Sequence, residues 1–145
     1  MSQETVEVVR RRFYEAADRN DLPAVLELLD PGFEWWDRTD DPGATVHRGH
    51  EGFVRHLAEL EADVELWVEV KELIDAGEYV VAPARVHGHG RTSGAPFEEH
   101  EVHVFRLRDG KVVELREYRD KREAFEALAL SEQDADEQPR LDRDV

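Results

Sequence analysis

His103 and Glu117 are the first residues whose types and spacing suggest chemistry. They flank Asp109-Gly110 in the stretch FEEHEVHVFRLRDGKVVELREYR, residues 97–119. Asp-Gly between two alternating runs is a strong hairpin signal. A two-residue loop, Asp109-Gly110, sets Phe105 against Glu114 and Leu107 against Val112. A three-residue loop, Arg108-Asp109-Gly110 with Gly110 left-handed in a bulge, pairs odd positions with odd. The second register gathers Phe105, Leu107, Val113 and Leu115 on one face and Arg106, Glu114 and Arg116 on the other. It is the register expected, because a slip of one residue scrambles both faces. Glu101, His103 and Glu117 then fall on the apolar face. His103 stands opposite Leu115, and Glu117 is its diagonal neighbour at about 7–8 Å between backbones. An imidazole and a carboxylate meeting on a buried face form an acid–base arrangement. The same pair also reads as a structural contact that satisfies two buried polar groups.

Positioning such a pair needs a sheet and something to cover it. Ser2 caps a first helix with Val6, Val9, Phe13 and Ala17 at helical spacing. Asn20-Asp21 breaks it and starts a second helix, with Pro23 in the first turn and an apolar stripe of Leu22, Val25, Leu26 and Leu29. Asp30-Pro31-Gly32 ends that helix, and Phe33 to Trp36 reads as a short strand. Its two tryptophans point opposite ways, one to core or pocket wall and the other to rim or interface. A polar loop, 37–45, leads to His47-Arg48-Gly49-His50 and a third helix with Phe53, Leu57 and Leu60 on one face. Long strands follow from Val64, and Asp120 caps a short last helix. Helices on one face of a curved, mostly antiparallel sheet are expected, an α+β cone around a small-molecule pocket.

Composition narrows the function. The chain of 145 residues has the size of one domain, expected over 1–130, with an acidic tail at 131–145 expected to be disordered. There is no cysteine, so thiolate and disulfide chemistry are excluded. The formal net charge is −16, which argues against nucleic acid as a partner. No apolar run reaches the ~20 residues of a membrane span, and no signal peptide opens the chain, so no membrane partner and a cytoplasmic protein are expected. His87-x-His89, with His100 nearby, falls short of the three or four ligands of a usual metal site, so neither metal nor cofactor is expected.

Several stretches carry a resemblance: the Asn20-Asp21-Leu22 break, LLDPGFEW at 28–35, HRGHEG at 47–52, Ile74-Asp75-Ala76-Gly77, Arg91 to Gly94, and HVFRLRDGKVVELREYRD at 103–120. Over roughly residues 3 to 130 the chain resembles the SnoaL-like branch of the nuclear transport factor 2 superfamily. That resemblance implies the cone fold, which hosts polyketide cyclases, ketosteroid isomerase, epoxide hydrolases and proteins without known activity. His103 and Glu117 look like the histidine and acid of the SnoaL-type cyclases, although the family acid is usually aspartate. Asp37 is placed like the proton-abstracting aspartate of ketosteroid isomerase. That enzyme's oxyanion tyrosine falls on Phe13, which lacks a hydroxyl, and its oxyanion acid falls on His103. Ligand contacts are expected from Tyr14, Trp35, His50, Phe53, Glu101, Phe105 and Leu115. The readings carried forward are a cofactor-independent cyclase or isomerase acting on a small hydrophobic or ketone-like ligand, a non-catalytic binder, and a dimeric interaction module. A homodimer through the outer sheet face, with Trp67 as anchor, is expected in the first two as well.

Overall fold

The protein was analysed as a computed structural model that describes residues 2–136. Helix α1 (Ser2–Val9) runs through a π-helical stretch (Arg10–Glu15) into the last turn, α2 (Ala16–Asp18). Asn20 then turns left-handed at φ 59° and breaks the rod. Asp21 caps α3 (Leu22–Leu28) by accepting the Ala24 N–H at 3.2 Å. Strand β1 (Leu29–Trp36), the short β2 (Val46–Arg48) and helix α4 (Gly49–Asp63) follow. The long strands are β3 (Val64–Val70), β5 (Tyr79–Gly90), β6 (Pro96–Arg108) and β7 (Lys111–Tyr118), with β4 (Ile74–Ala76) a short partner of β5. Helix α5 (Lys121–Asp136) closes the described chain. It runs into the acidic stretch expected to be disordered; residues beyond 136 lie outside the described residues.

The sheet runs β2-β1-β7-β6-β5-β3. All its pairings are antiparallel except β1 with β7. This is the expected α+β layout of helices on an open, mostly antiparallel sheet. The main core lies between them: Val6, Val9 and Phe13 from the first helix and Phe53 from α4 meet Phe33, Val80, Phe105 and Leu115. Rings pack edge to face, with Phe13 and Phe105 centroids 4.9 Å apart.

The hairpin turn differs from expectation in a way that matters. The loop has two residues, Asp109 and Gly110, both left-handed at φ 54° and 79°. That is the backbone of a primed turn, whose twist matches the strands. Leu107 accordingly pairs with Val112, and the register then shifts so that Arg106 pairs with Glu114. The extra residue is Val113, which leaves the apolar face while Val112 becomes fully buried. Odd still pairs with odd beyond this bulge, but offset by two from the three-residue-loop register. His103 therefore faces Glu117 itself, not Leu115, and Phe105 faces Leu115. A bulge commonly re-aims side chains beside a site.

The outer face is partly covered. Ala124 and Leu128 of α5 pack on Val81, Val102 and Val104, with Tyr79 and Tyr118 alongside. Asp120 accepts the Glu123 N–H at 2.9 Å, and Glu123 reaches back to the Arg119 N–H at 2.8 Å, which fixes the start of that helix. Further along this face Trp67 remains 46 % exposed beside His87 and His89.

Candidate active site

The inner face of β6 presents Glu101 and His103, and β7 presents Glu117 directly across from His103. On the other side their strand partners in β5 are Ala84 and Ala82. These small residues leave room for the longer side chains. His103 is 7 % exposed. Its Nε2 lies 2.9 Å from Glu101 Oε2, and its Nδ1 lies 2.6 Å from the Tyr14 hydroxyl. Glu117 accepts the Trp35 indole N–H at 2.9 Å. Arg38, 3.9 Å from Glu101, is held by Asp40 at 2.9 Å.

Tyr14 reaches His103 because of the π-helical stretch. An α-helix rotates about 100° per residue, which would send Tyr14 away from the face that Phe13 occupies. The wider π turn rotates less per residue. Phe13 and Tyr14 both meet Phe105, at 4.9 and 5.6 Å between centroids. Nothing in the spacing of apolar residues signals that change of pitch.

Charges in the cluster follow from burial and contact. Burial opposes the ionised form of Glu101, but its hydrogen bond to His103 and the charges of His103 and Arg38 outweigh this and hold its pKa below the ordinary carboxylate value. Burial likewise opposes charge on His103, and the Glu101 hydrogen bond, with the charges of Glu101 and Glu117, raises its pKa instead. Glu117 has no such partner. Burial first, and the nearby Glu101 charge second, push it up to about 7 despite His103 and the Trp35 N–H. Burial and the two carboxylates raise Tyr14, so its hydroxyl keeps its proton. These shifts favour an ionised Glu101, an imidazolium at His103 and a neutral phenol at Tyr14. Glu117 is poised between its two states. The imidazolium donates Nε2–H to Glu101 and Nδ1–H to the Tyr14 oxygen, which frees the phenol proton for another acceptor.

The partner that settles His103 is thus Glu101, two residues away on its own strand, rather than Glu117. Glu101→Gln should lower the midpoint of the His103 ring titration markedly. Glu117→Gln should lower it less. Side-chain NMR of the three proteins checks this, and equal midpoints in all three would show that no carboxylate acts on the ring.

The remaining expected site residues separate. Trp35, 7 % exposed, joins the site through its N–H, whereas Trp36 points outward under Arg116, 4.0 Å above its ring. Phe53, Phe105 and Leu115 are buried in the core behind the cluster. His50 puts Nε2 2.8 Å from the Leu29 carbonyl and ties the start of α4 to β1. Asp37 belongs to a second cluster: its carboxylate lies 3.1 Å from His47 Nε2 and 3.3 Å from His56 Nε2, and it accepts the Thr45 N–H at 3.2 Å. His56 was not singled out from sequence. Its place in the apolar stripe of α4, between Phe53 and Leu57, was the signal. Burial, then the neighbouring His47 charge, lowers its pKa, against the pull of Asp37 and Glu59.

Residues 10–115 match the SnoaL-like domain. The chain belongs to the SnoaL-like domain family. Solved structures agree with the SnoaL-like assignment. An NTF2-like protein from Burkholderia thailandensis is 28% identical, with a TM-score of 0.72 over 85% of this chain and 95% of that one. An NTF2-like protein from Burkholderia xenovorans is 29% identical, with a TM-score of 0.71 over 88% and 97%. A candidate SnoaL-like polyketide cyclase from Jannaschia sp. CCS1 is 26% identical, with a TM-score of 0.69 over 88% and 92%. No curated protein sequence matches the chain. Among the described residues of this SnoaL-like chain, no helix is long and apolar enough to cross a membrane.

Proposed function

We propose that this SnoaL-like protein is a cofactor-independent enzyme that moves a proton at the acidic carbon of a ketone-like small molecule, as a cyclase or isomerase does. The observation that carries this reading is Glu117, a partly buried carboxylate with a pKa near 7 directly across from His103, whose ring backs the Tyr14 phenol. A base whose pKa lies near the working pH combines the right protonation state with driving force. Glu117 takes the proton from the carbon alpha to the carbonyl. The Tyr14 hydroxyl, polarised by His103, donates to the enolate oxygen, and a donor aimed at developing charge in a dry site is worth far more than in water. Glu117 then returns the proton to carbon, or the enolate carbon attacks a second carbonyl of the same substrate, whose C–O π bond opens to an alkoxide that takes the proton from Glu117. Glu101 keeps His103 charged throughout, and the Trp35 N–H holds one Glu117 oxygen in place while the other faces the substrate. The kinship with a candidate polyketide cyclase supports the substrate class.

Exchange of the alpha-carbon hydrogens of 1,3-diketone probes in D2O tests the proposal. Acceleration by the protein, lost on Glu117→Gln, is the expected result. Binding of the probes without acceleration would favour the non-catalytic binder instead.

We also propose that two copies pair through the part of the outer sheet face that α5 leaves open, with Trp67 as anchor. Light scattering should give twice the chain mass for the protein and a single-chain mass for Trp67→Asp. A single-chain mass for the unmodified protein at micromolar concentration would refute the pairing.

A further inference from the structure

The second polar cluster lies outside the proton-transfer chemistry. Asp37 directly follows β1, His47 comes from β2 and His56 from the middle of α4, so three separate segments deliver one carboxylate and two imidazoles. All three side chains are mostly buried, at 14, 12 and 13 % exposure. Both Nε2 atoms lie beside the same carboxylate, one at each oxygen, and the His47 contact is a hydrogen bond. We infer that Asp37, His47 and His56 form a binding site for a divalent transition-metal ion of the zinc type.

Three arguments support the assignment. The first is ligand spacing. Donors at about 2.0–2.2 Å from a tetrahedral zinc stand about 3.3 Å from one another. Here His47 Nε2 and His56 Nε2 stand 3.1 and 3.3 Å from different oxygens of Asp37, and one donor atom from each of the three residues can be taken with all three within 4.8 Å of one another. The second is chemistry. Two imidazoles and one carboxylate suit zinc and its neighbours better than magnesium or calcium, which prefer oxygen donors. Three protein ligands also leave a fourth position open. The third is the supporting shell. A ligating histidine commonly donates its other ring N–H to a carboxylate. His56 Nδ1 is buried without a hydrogen-bond partner, and the Glu59 carboxylate, one turn along the same helix, is 4.0 Å from it. The Thr45 N–H already holds the Asp37 carboxylate.

Binding has a structural consequence. The two imidazoles now stack 3.7 Å apart and within 11° of parallel. An ion lying in both ring planes requires them to splay. Trp35 stands edge-on to His56 at 4.5 Å, so its surroundings change with the rings.

The test is titration of the metal-free protein with Co2+ and Zn2+, read by visible absorption for cobalt and tryptophan fluorescence for zinc. Saturable one-to-one uptake of both ions is expected, with a fluorescence change. Uptake should be lost in His47→Ala and in His56→Asn, which keeps a polar group in the same helix. Glu59→Gln should weaken it by ~10-fold, the lower end of the usual effect of removing a supporting carboxylate. Absence of one-to-one uptake at micromolar metal would overturn the inference. So would uptake that survives the His47 and His56 changes but disappears when His103, or His87 with His89, is replaced. None of these readouts depends on turnover, so this site and the proton-transfer reading stand or fall separately.

Discussion

Glu117→Gln is expected to reduce turnover by ~10²–10⁴-fold, the usual contribution of a positioned acid or base, while making the folded protein more stable above neutral pH. The two effects share one cause. Folding raises the Glu117 pKa from 4.5 to about 7, because burial and the Glu101 charge oppose ionisation. A raised pKa favours the fold fully below the unfolded value, and the advantage is lost as pH rises through the folded value. At pH 4 the carboxyl is largely protonated in both states, so wild type and variant should be nearly alike. Between pH 4.5 and 7 the unfolded chain ionises first, and wild-type stability falls. Above pH 7 the shift corresponds to roughly 3 kcal/mol at 1.36 kcal/mol per pKa unit, shared in part with the neighbouring Glu101 carboxylate. Glutamine has no charge to bury, and its carbonyl can still accept the Trp35 N–H. Urea unfolding at pH 4, 6 and 8 beside deuterium-exchange rates checks both halves. A variant that loses activity and is also less stable at pH 8 would mean that Glu117 serves the fold, and the base would have to be sought elsewhere.

Phe105→Ala should cost about 3–5 kcal/mol, the range for removing a buried phenylalanine ring. The side chain is fully buried, between Phe13 and Tyr14 and opposite Leu115. Read from sequence, the same residue was a candidate ligand contact. A residue that mainly touches ligand can be truncated with little effect on the free protein, whereas a core ring leaves a cavity that its neighbours fill only in part. The urea midpoint should fall sharply with an unchanged dependence on denaturant. A change below about 1 kcal/mol, less than such truncations usually cost, would show that the ring borders an open pocket rather than the packed core.

Local signals carried much of the fold. Alternation identified the long strands, Asn20-Asp21 marked the helix break, and Asp109-Gly110 placed the hairpin. Period-2 parity put Glu101 and His103 on one face of their strand, because side chains of a strand can only alternate, and the choice of an odd-with-odd register added Glu117 to it. Which of them touch was not legible. A single bulge at Val113 moves the whole pairing by two residues, and its position depends on which turn the strands accept rather than on any apolar count. Tyr14 joins the site through a change of helical pitch that leaves no periodic trace. Asp37, His47 and His56 meet only because β1, β2 and α4 pack together, and residues that far apart in sequence carry no mutual signal. The charge states were the last to be decided. Glu101 and Glu117 are the same residue type on the same face. One is held ionised by His103 and Arg38, and the other is left to burial, so their pKa values move apart in opposite directions. That split is a property of distances and desolvation, which exist only once the sheet and helices have closed around both carboxylates.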